Sequence, residues 1–358
     1  MRAFFMEFSL ATILPVVWYV ILCIAVFAYS LGDGFDLGLS TIYFLSKDEK
    51  ERRLLLNSIG PIWDGNEVWF VIMFAGLFAG FPTAYGTLLS IFYMPIWTMV
   101  MLYIFRGCSL EFRSKAESNR WKLFWDVLFS ISGMSISFFL GTLAGNLLVG
   151  FPIAPDTSYS SLSWKLFFRP YPVLCGLFVV TAFALHGISF ALMKTTEGLH
   201  ERLKNKFSYV LSSYLVLYLS LLIATILGMP QTLGVCCRIE GAPGIPAYPL
   251  IILLSVVTLS CCYAEKRAVS IGKYGKAFVL SCINLLSPIL AYNILLFPNL
   301  LVSTVDNRYT MTVFNAAAET RTLQHLVTIV LIGLPFVVAY AVYIYRVFRG
   351  KTDFPSIY

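Results

Sequence analysis

The chain has 358 residues, of which 58% are apolar, 16% aromatic and only 13% charged, with a mean hydropathy of +0.78. A soluble domain carries about 25% charged residues, and several stretches here run for about 20 residues without a charge, the length that crosses a hydrocarbon core. The composition excludes a soluble dehydrogenase or nuclease and indicates a polytopic, all-α integral membrane protein. The net charge of +7 then needs no nucleic acid as partner, because the basic residues fall in alternate loops where they set topology and meet anionic lipid.

Nine apolar segments can be drawn, near 11–31, 61–80, 85–105, 124–148, 173–192, 208–227, 248–263, 278–297 and 325–345. The first, "WYVILCIAVFAYS", follows a single Arg2 with no small-residue cleavage site behind it, so it is expected to be a retained helix rather than a signal peptide. It runs into "YSLGDGFDLG", where Asp33 and Asp36 lie three residues apart. On a helix that spacing puts both on one face. The glycines Gly32, Gly34 and Gly38 allow two readings: close backbone approach, or a helix end that unravels and leaves the aspartates solvated.

The second segment opens with "GPIWDGNEVWF". Pro61 suits a first turn or a kink. Asp64 and Glu67 again share a face, and a helix starting at Pro61 would place them about 5 and 9 Å in. First-turn carboxylates suit the helix dipole, which is the plain reading. Trp63, Asn66 and Trp69 add a hydrogen-bonding aromatic cluster that capping does not require. The third segment ends in "FRGCSLEFR", where Arg106 and Arg113 bracket Glu111; a local ion pair with topology-setting arginines is expected there.

Farther along, the seventh segment is short for a span and is expected to borrow residues beyond Tyr263. "TVFNAAAETRTLQHL" reads as a short interfacial helix before the last span. Of the eight cysteines, five lie in apolar runs, where the thiol packs as a small hydrophobe. Cys236 and Cys237 are vicinal, and no C-x-x-C spacing occurs. The three histidines are far apart, and His186 reads as a packed, hydrogen-bonded helix residue.

Loop charge tests the helix count. If loops alternate sides, 20 of the 26 lysines and arginines fall on one side, the pattern of a positive-inside protein. The expectation is nine transmembrane helices in one membrane domain over 1–358, N-terminus outside and C-terminus cytoplasmic. Recurring Phe-Pro pairs near helix ends hint at four-helix repeats over about 1–150 and 171–298, with a last helix over about 325–345.

Taken together, "GDGFDLG", "GPIWDGNEVWF", "FRGCSLEFR", "HGISFALMKT" and "MTVFNAAAE" with "LPFVVAYAVYIYRVFRGK" resemble subunit II of the bacterial cytochrome bd-type quinol oxidases, in order from the first helix to the C-terminus. Cys108 and Ser109 stand where small apolar residues are expected. The resemblance implies two four-helix bundles plus one extra helix in the bacterial inner membrane, paired with a similarly folded subunit I. It places two b-type haems and one d-type haem in that partner, with none bound directly here. A structural quinone and a small single-helix accessory subunit are compatible with it; quinol and oxygen act at the level of the complex. Under it, Asp64 is the candidate entry or relay group of a cytoplasmic proton path. Glu67 and Asn66 would orient water, and Asp36 would supply a second polar contact. Trp63 and Trp69 would pack against subunit I, with Trp69 beside an oxygen route. Two other readings use the same carboxylates: a secondary transporter or proton channel, and a purely structural subunit.

Overall fold

The computed structural model describes residues 9–154, 163–228 and 247–352. Cys236 and Cys237 lie outside the described residues, and the six described cysteines are free thiols. Twelve helices are found among the described residues: α1 Leu10–Ile42, α2 Glu49–Ile59, α3 Trp63–Gly80, α4 Pro82–Ile91, α5 Tyr93–Phe112, α6 Asn119–Val149, α7 Ser163–Phe167, α8 Pro170–Lys194, α9 Glu197–Gly228, α10 Tyr248–Ser270, α11 Tyr274–Leu296 and α12 Thr320–Val347. Seven of them are long and apolar enough to cross a membrane. Two bent pairs raise that to nine: α2 with α3, bent by 50°, and α4 with α5, bent by 90°.

Several expected boundaries move. The helix expected near 11–31 continues to Ile42, so the glycines of "GDGFDLG" lie inside α1 and do not end it. Their use is close approach. A Cβ on Gly38 would lie 2.9 Å from Gly187 Cα and closer still to the Phe183 carbonyl, so α1 and α8 cross almost backbone to backbone. Small residues at such crossings let dispersion forces hold helices together where lipid removes the hydrophobic drive. Pro61 falls at the break between α2 and α3, where its missing N–H interrupts no helical bond. The seventh segment does extend past Tyr263, to Ser270.

The expected interfacial helix at "TVFNAAAETRTLQHL" does not form. Met311–Thr312 is a strand paired antiparallel with Asn299–Leu301, and helix begins only at Thr320. Asn315 explains this. Its Oδ1 accepts from Thr312 N at 2.7 Å and its Nδ2 donates to Thr310 O at 2.9 Å, a side-chain turn that competes with helix.

Helix α1 is the axis of the bundle, packing on α3, α6, α8, α11 and α12. One apolar core surrounds its second half with Phe35, Leu39, Phe183, Phe190 and Tyr214. Another fills the opposite end with Trp18, Phe81, Phe92, Phe151, Phe167 and Leu301. The basic connections converge at one end, where Arg202 donates to Leu45 O at 3.1 Å and Thr352 N donates to Lys194 O at 2.9 Å. At the other end the strands close over the second core, and Phe151 bridges to Ser303. Large apolar side chains stand exposed around the whole bundle, among them Val71, Phe78, Ile252, Val279 and Phe336. That inside-out surface is what a multi-pass membrane protein presents to lipid.

Candidate functional site

The polar groups of the sequence motifs meet near the basic end of the bundle. Asp33 and Asp36 project from one face of α1 and are both fully buried. An aspartate inside a helix is unfavourable in itself; here partners from two other helices compensate. Arg106 of α5, also fully buried, donates from Nη2 to Asp33 Oδ1 and lies 3.8 Å from Asp36 Oδ2. Its Nη1 is 3.9 Å from Glu67 Oε2 of α3. Asn66 of α3 donates from Nδ2 to Asp36 Oδ2 at 2.8 Å, and its Oδ1 accepts from the Tyr345 hydroxyl of α12 at 2.6 Å. One turn away, the Tyr29 and Tyr103 hydroxyls share a hydrogen bond between α1 and α5.

Three carboxyls therefore surround one guanidinium. Five of their polar atoms are buried without a hydrogen-bond partner: Asp33 Oδ2, Asp36 Oδ1, Glu67 Oε2, and Nε and Nη1 of Arg106. A cluster with more acids than cations and unfilled hydrogen-bonding positions is suited to binding protons and water. Beside it, a cleft of about 600 Å³ opens between α1, α3, α11 and α12, lined by Phe35, Asn66, Trp69, Phe278 and Tyr345.

Exposure is graded from α3 inward to α1. Asp36 is fully buried, the Glu67 side chain is 22% exposed, and Asp64 in the first turn is exposed. Asp64, Val68, Val71 and Phe78 form one exposed stripe on α3. Trp63 and Trp69 are half-buried against the core, so they lie beside that stripe and not on it. The Trp63 ring covers Gly107 of α5, and Trp69 lines the cleft.

The expected ion pair among Arg106, Glu111 and Arg113 is not formed. Glu111 is exposed and pairs with neither arginine. Residues five and two apart on a helix do not face each other, whereas Arg106 and Arg113, seven apart, both turn inward. Arg113 grips Asp126 of α6 through Nε and Glu49 of α2 at 2.7 Å. Asp126 also accepts from the Tyr43 hydroxyl at 2.6 Å and from Arg52 at 3.0 Å. This second network ties the basic loops together.

The pairing of Arg106 with Asp33, and the parts played by Tyr345 and Asp126, are not legible in the sequence. The only available signal is Arg106 lying inside the apolar register of its segment. His186 is buried, with Nδ1 against Ser281 Oγ at 2.8 Å and Nε2 against Leu31 O at 3.1 Å, so both ring nitrogens are engaged. Among the described residues no group of three or more His, Cys, Asp or Glu is placed to hold a metal ion.

The profile of the family described as "Cytochrome bd terminal oxidase subunit II" matches residues 14–348. The cytochrome bd ubiquinol oxidase subunit 2 of Bacillus subtilis (strain 168) is 29% identical over 337 residues, covering 94% of this chain and 96% of the relative. The cytochrome bd-I ubiquinol oxidase subunit 2 of Escherichia coli (strain K12) is 25% identical, covering 95% of each. A chain in the solved structure of bd oxidase from Geobacillus thermodenitrificans has the same fold, with a TM-score of 0.74 at 16% identity over 94% of this chain and 98% of that one. With the match running through every helix that contributes to the buried cluster, the chain belongs to the cytochrome bd terminal oxidase subunit II family.

Proposed function

We propose that the chain is the second subunit of a respiratory quinol oxidase in a bacterial cell membrane, spanning it nine times with the basic end cytoplasmic. Its partner, subunit I, carries two b-type haems and one d-type haem and reduces oxygen to water; the present chain holds no redox centre of its own. The uneven distribution of basic residues supports the orientation, and the bent pairs counted as single spans support the number nine.

Within that complex the chain conducts protons from the cytoplasmic face. One observation carries this reading: exposure falls from Asp64 through Glu67 to the Arg106, Asp33 and Asp36 cluster, which is the order a path from water to a buried site requires. Asp64 collects a proton at the mouth. Glu67 passes it inward through water ordered at its unpaired Oε2 and at Asp36 Oδ1. Asn66 fixes the geometry by holding Asp36 and Tyr345 together. The apolar part of the exposed stripe on α3, Val68, Val71 and Phe78, and the bare surface of α12 are the faces on which subunit I and a small accessory helix would dock, leaving Asp64 open at the cytoplasmic end, with Trp63 and Trp69 behind the first of them and Trp69 beside a route for oxygen.

A cavity of about 360 Å³ between α1, α6, α8, α9 and α11 has apolar walls and a few hydroxyls, those of Tyr19, Tyr171 and Tyr292 among them. Its size and lining suit a small apolar ligand. The Tyr292 hydroxyl is buried without a partner, so a structural quinone with its carbonyl at Tyr292 fits this space.

The test begins with affinity purification of the tagged chain from native membranes and a reduced-minus-oxidised visible spectrum. A larger partner with b- and d-type haem bands is the expected result; a stable, haem-free chain would favour a transporter using the same carboxylates. In the purified complex, Asp64→Asn should assemble with full haem content yet lose about 10-fold or more in quinol oxidase turnover, on the scale of a lost proton-transfer group. The loss should be steepest at alkaline pH, where protons are scarcest. Unchanged turnover across pH would remove Asp64 from the path.

A further inference from the structure

Four carboxyls are fully buried among the described residues: Asp33, Asp36, Asp126 and Glu265. The first three lie within 4 Å of an arginine. Glu265 of α10 does not. Ser189 Oγ of α8 donates to its Oε1 at 2.7 Å, and Asn284 Nδ2 of α11 donates to its Oε2 at 2.6 Å. The neighbouring Lys266 and Arg267 are exposed and form no ion pair with it. The titratable groups facing it are Cys261 and Cys262 on its own helix, Cys282 on α11 and Tyr214 on α9, none of them a cation. His186 lies one turn from Ser189 on α8. An ionised carboxylate among neutral partners only, away from water, is unfavourable, and taking up a proton removes the charge.

Asn284 gives the arrangement a second use. Its Oδ1 is buried without a partner, while its Nδ2 serves Glu265. The two ends of an amide differ only in which donates. Rotated by half a turn, the same side chain would accept the O–H of a carboxylic acid instead of donating to a carboxylate. Glu265 therefore has a partner in both protonation states, a condition that a fixed donor such as arginine does not meet.

A second hydrogen bond between α8 and α11 lies one helical turn away. Ser281 precedes Asn284 by one turn on α11, as His186 precedes Ser189 on α8. The His186–Ser281 hydrogen bond, 2.8 Å, is thus the next rung of the same α8–α11 ladder. His186 then reaches Leu31 O of α1 at 3.1 Å, in the turn that leads into Asp33 and Asp36.

We propose that Glu265 is a second proton-exchanging site in this chain, with Asn284 as its two-state partner. Glu265 takes up one proton from water at the basic end, becomes a carboxylic acid, and returns the same proton when it ionises. The proposal concerns this carboxyl alone and stands whether or not Asp64 belongs to a proton path.

Infrared difference spectra of the intact purified complex, recorded between two pH values in H2O and in D2O, test it without requiring turnover. The expected result is a carboxylic-acid carbonyl band that rises on acidification, shifts in D2O and is missing in Glu265→Gln. The same band should move its titration midpoint in Asn284→Leu. The glutamine variant should assemble, because Asn284 can turn its Oδ1 toward the new amide. A Glu265→Gln spectrum with every carboxylic-acid band of the parent would overturn the proposal. Should that variant not assemble, Glu265→Asp decides instead: a displaced band supports the site, and an unchanged set of bands overturns it.

Discussion

Arg106 is the residue on which the buried cluster depends. Its guanidinium is the only cation within 4 Å of Asp33, Asp36 and Glu67 among the described residues. Removing one partner of a buried ion pair costs about 3–5 kcal/mol, because the other charge stays behind unpaired. Arg106→Leu is therefore expected to lower the thermal midpoint of the complex sharply, or to prevent its recovery. The double variant Arg106→Leu, Asp33→Asn should regain part of the loss, since the group in closest contact with the arginine no longer carries a charge. Denaturation curves of the two variants side by side check this; no recovery in the double variant would mean that Arg106 acts through packing alone.

At the scale of elements, the α1–α8 crossing is the narrowest junction. Gly38 and Gly187 face each other there, and each would place a Cβ within 2.9 Å of the other helix's backbone. Gly38→Ala is expected to cost about 1–3 kcal/mol, the usual penalty for overpacking, read as a lower temperature of half-inactivation. Gly86→Ala is the matched control: nothing lies within 4 Å of the point its Cβ would occupy, so it should leave the midpoint unchanged or slightly raised by helix propensity. The same crossing brings His186 of α8 to α1, so Gly38→Ala should disturb the Glu265 ladder as well as stability.

For the whole molecule, the question is which end faces which compartment. Arg202, Lys194 and Arg113 bind carbonyls and carboxylates of neighbouring connections at one end, and Lys165 lies at the other, on α7. Orientation by positive charge then predicts a labelling pattern. A cysteine introduced at Lys273 should react with a membrane-impermeant maleimide only in inverted vesicles. One introduced at Lys165 should react in right-side-out vesicles. The reverse pattern would invert the proposed topology and place Asp64 on the outer side. Helix α12 belongs to this scale too. None of its most apolar 18-residue window is buried within the chain, so its environment is lipid or another subunit.

Much of this is legible in the sequence, and for a definite reason. The cost of placing charge and unsatisfied backbone in hydrocarbon is so large that apolar runs and loop charge alone declare a multi-pass helical protein. The motifs declare the family. Periodicity also puts Asp33 with Asp36, and Asp64 with Glu67, on common faces, because those relations lie within one helix. What it cannot supply are partners from distant segments. Proximity in sequence assigns Arg106 to its near neighbour Glu111, yet it pairs with Asp33, 73 positions away. Glu265 lies beside Lys266 and Arg267 in the sequence, and only the packing of α8, α10 and α11 shows that it turns inward. The glycines of "GDGFDLG" are compatible with a frayed helix end until α8 is laid against them. Sequence determined which segments are apolar enough to enter a membrane, since that is a transfer free energy summed residue by residue. Tertiary structure decided which buried charges meet, since that depends on which helix faces come together.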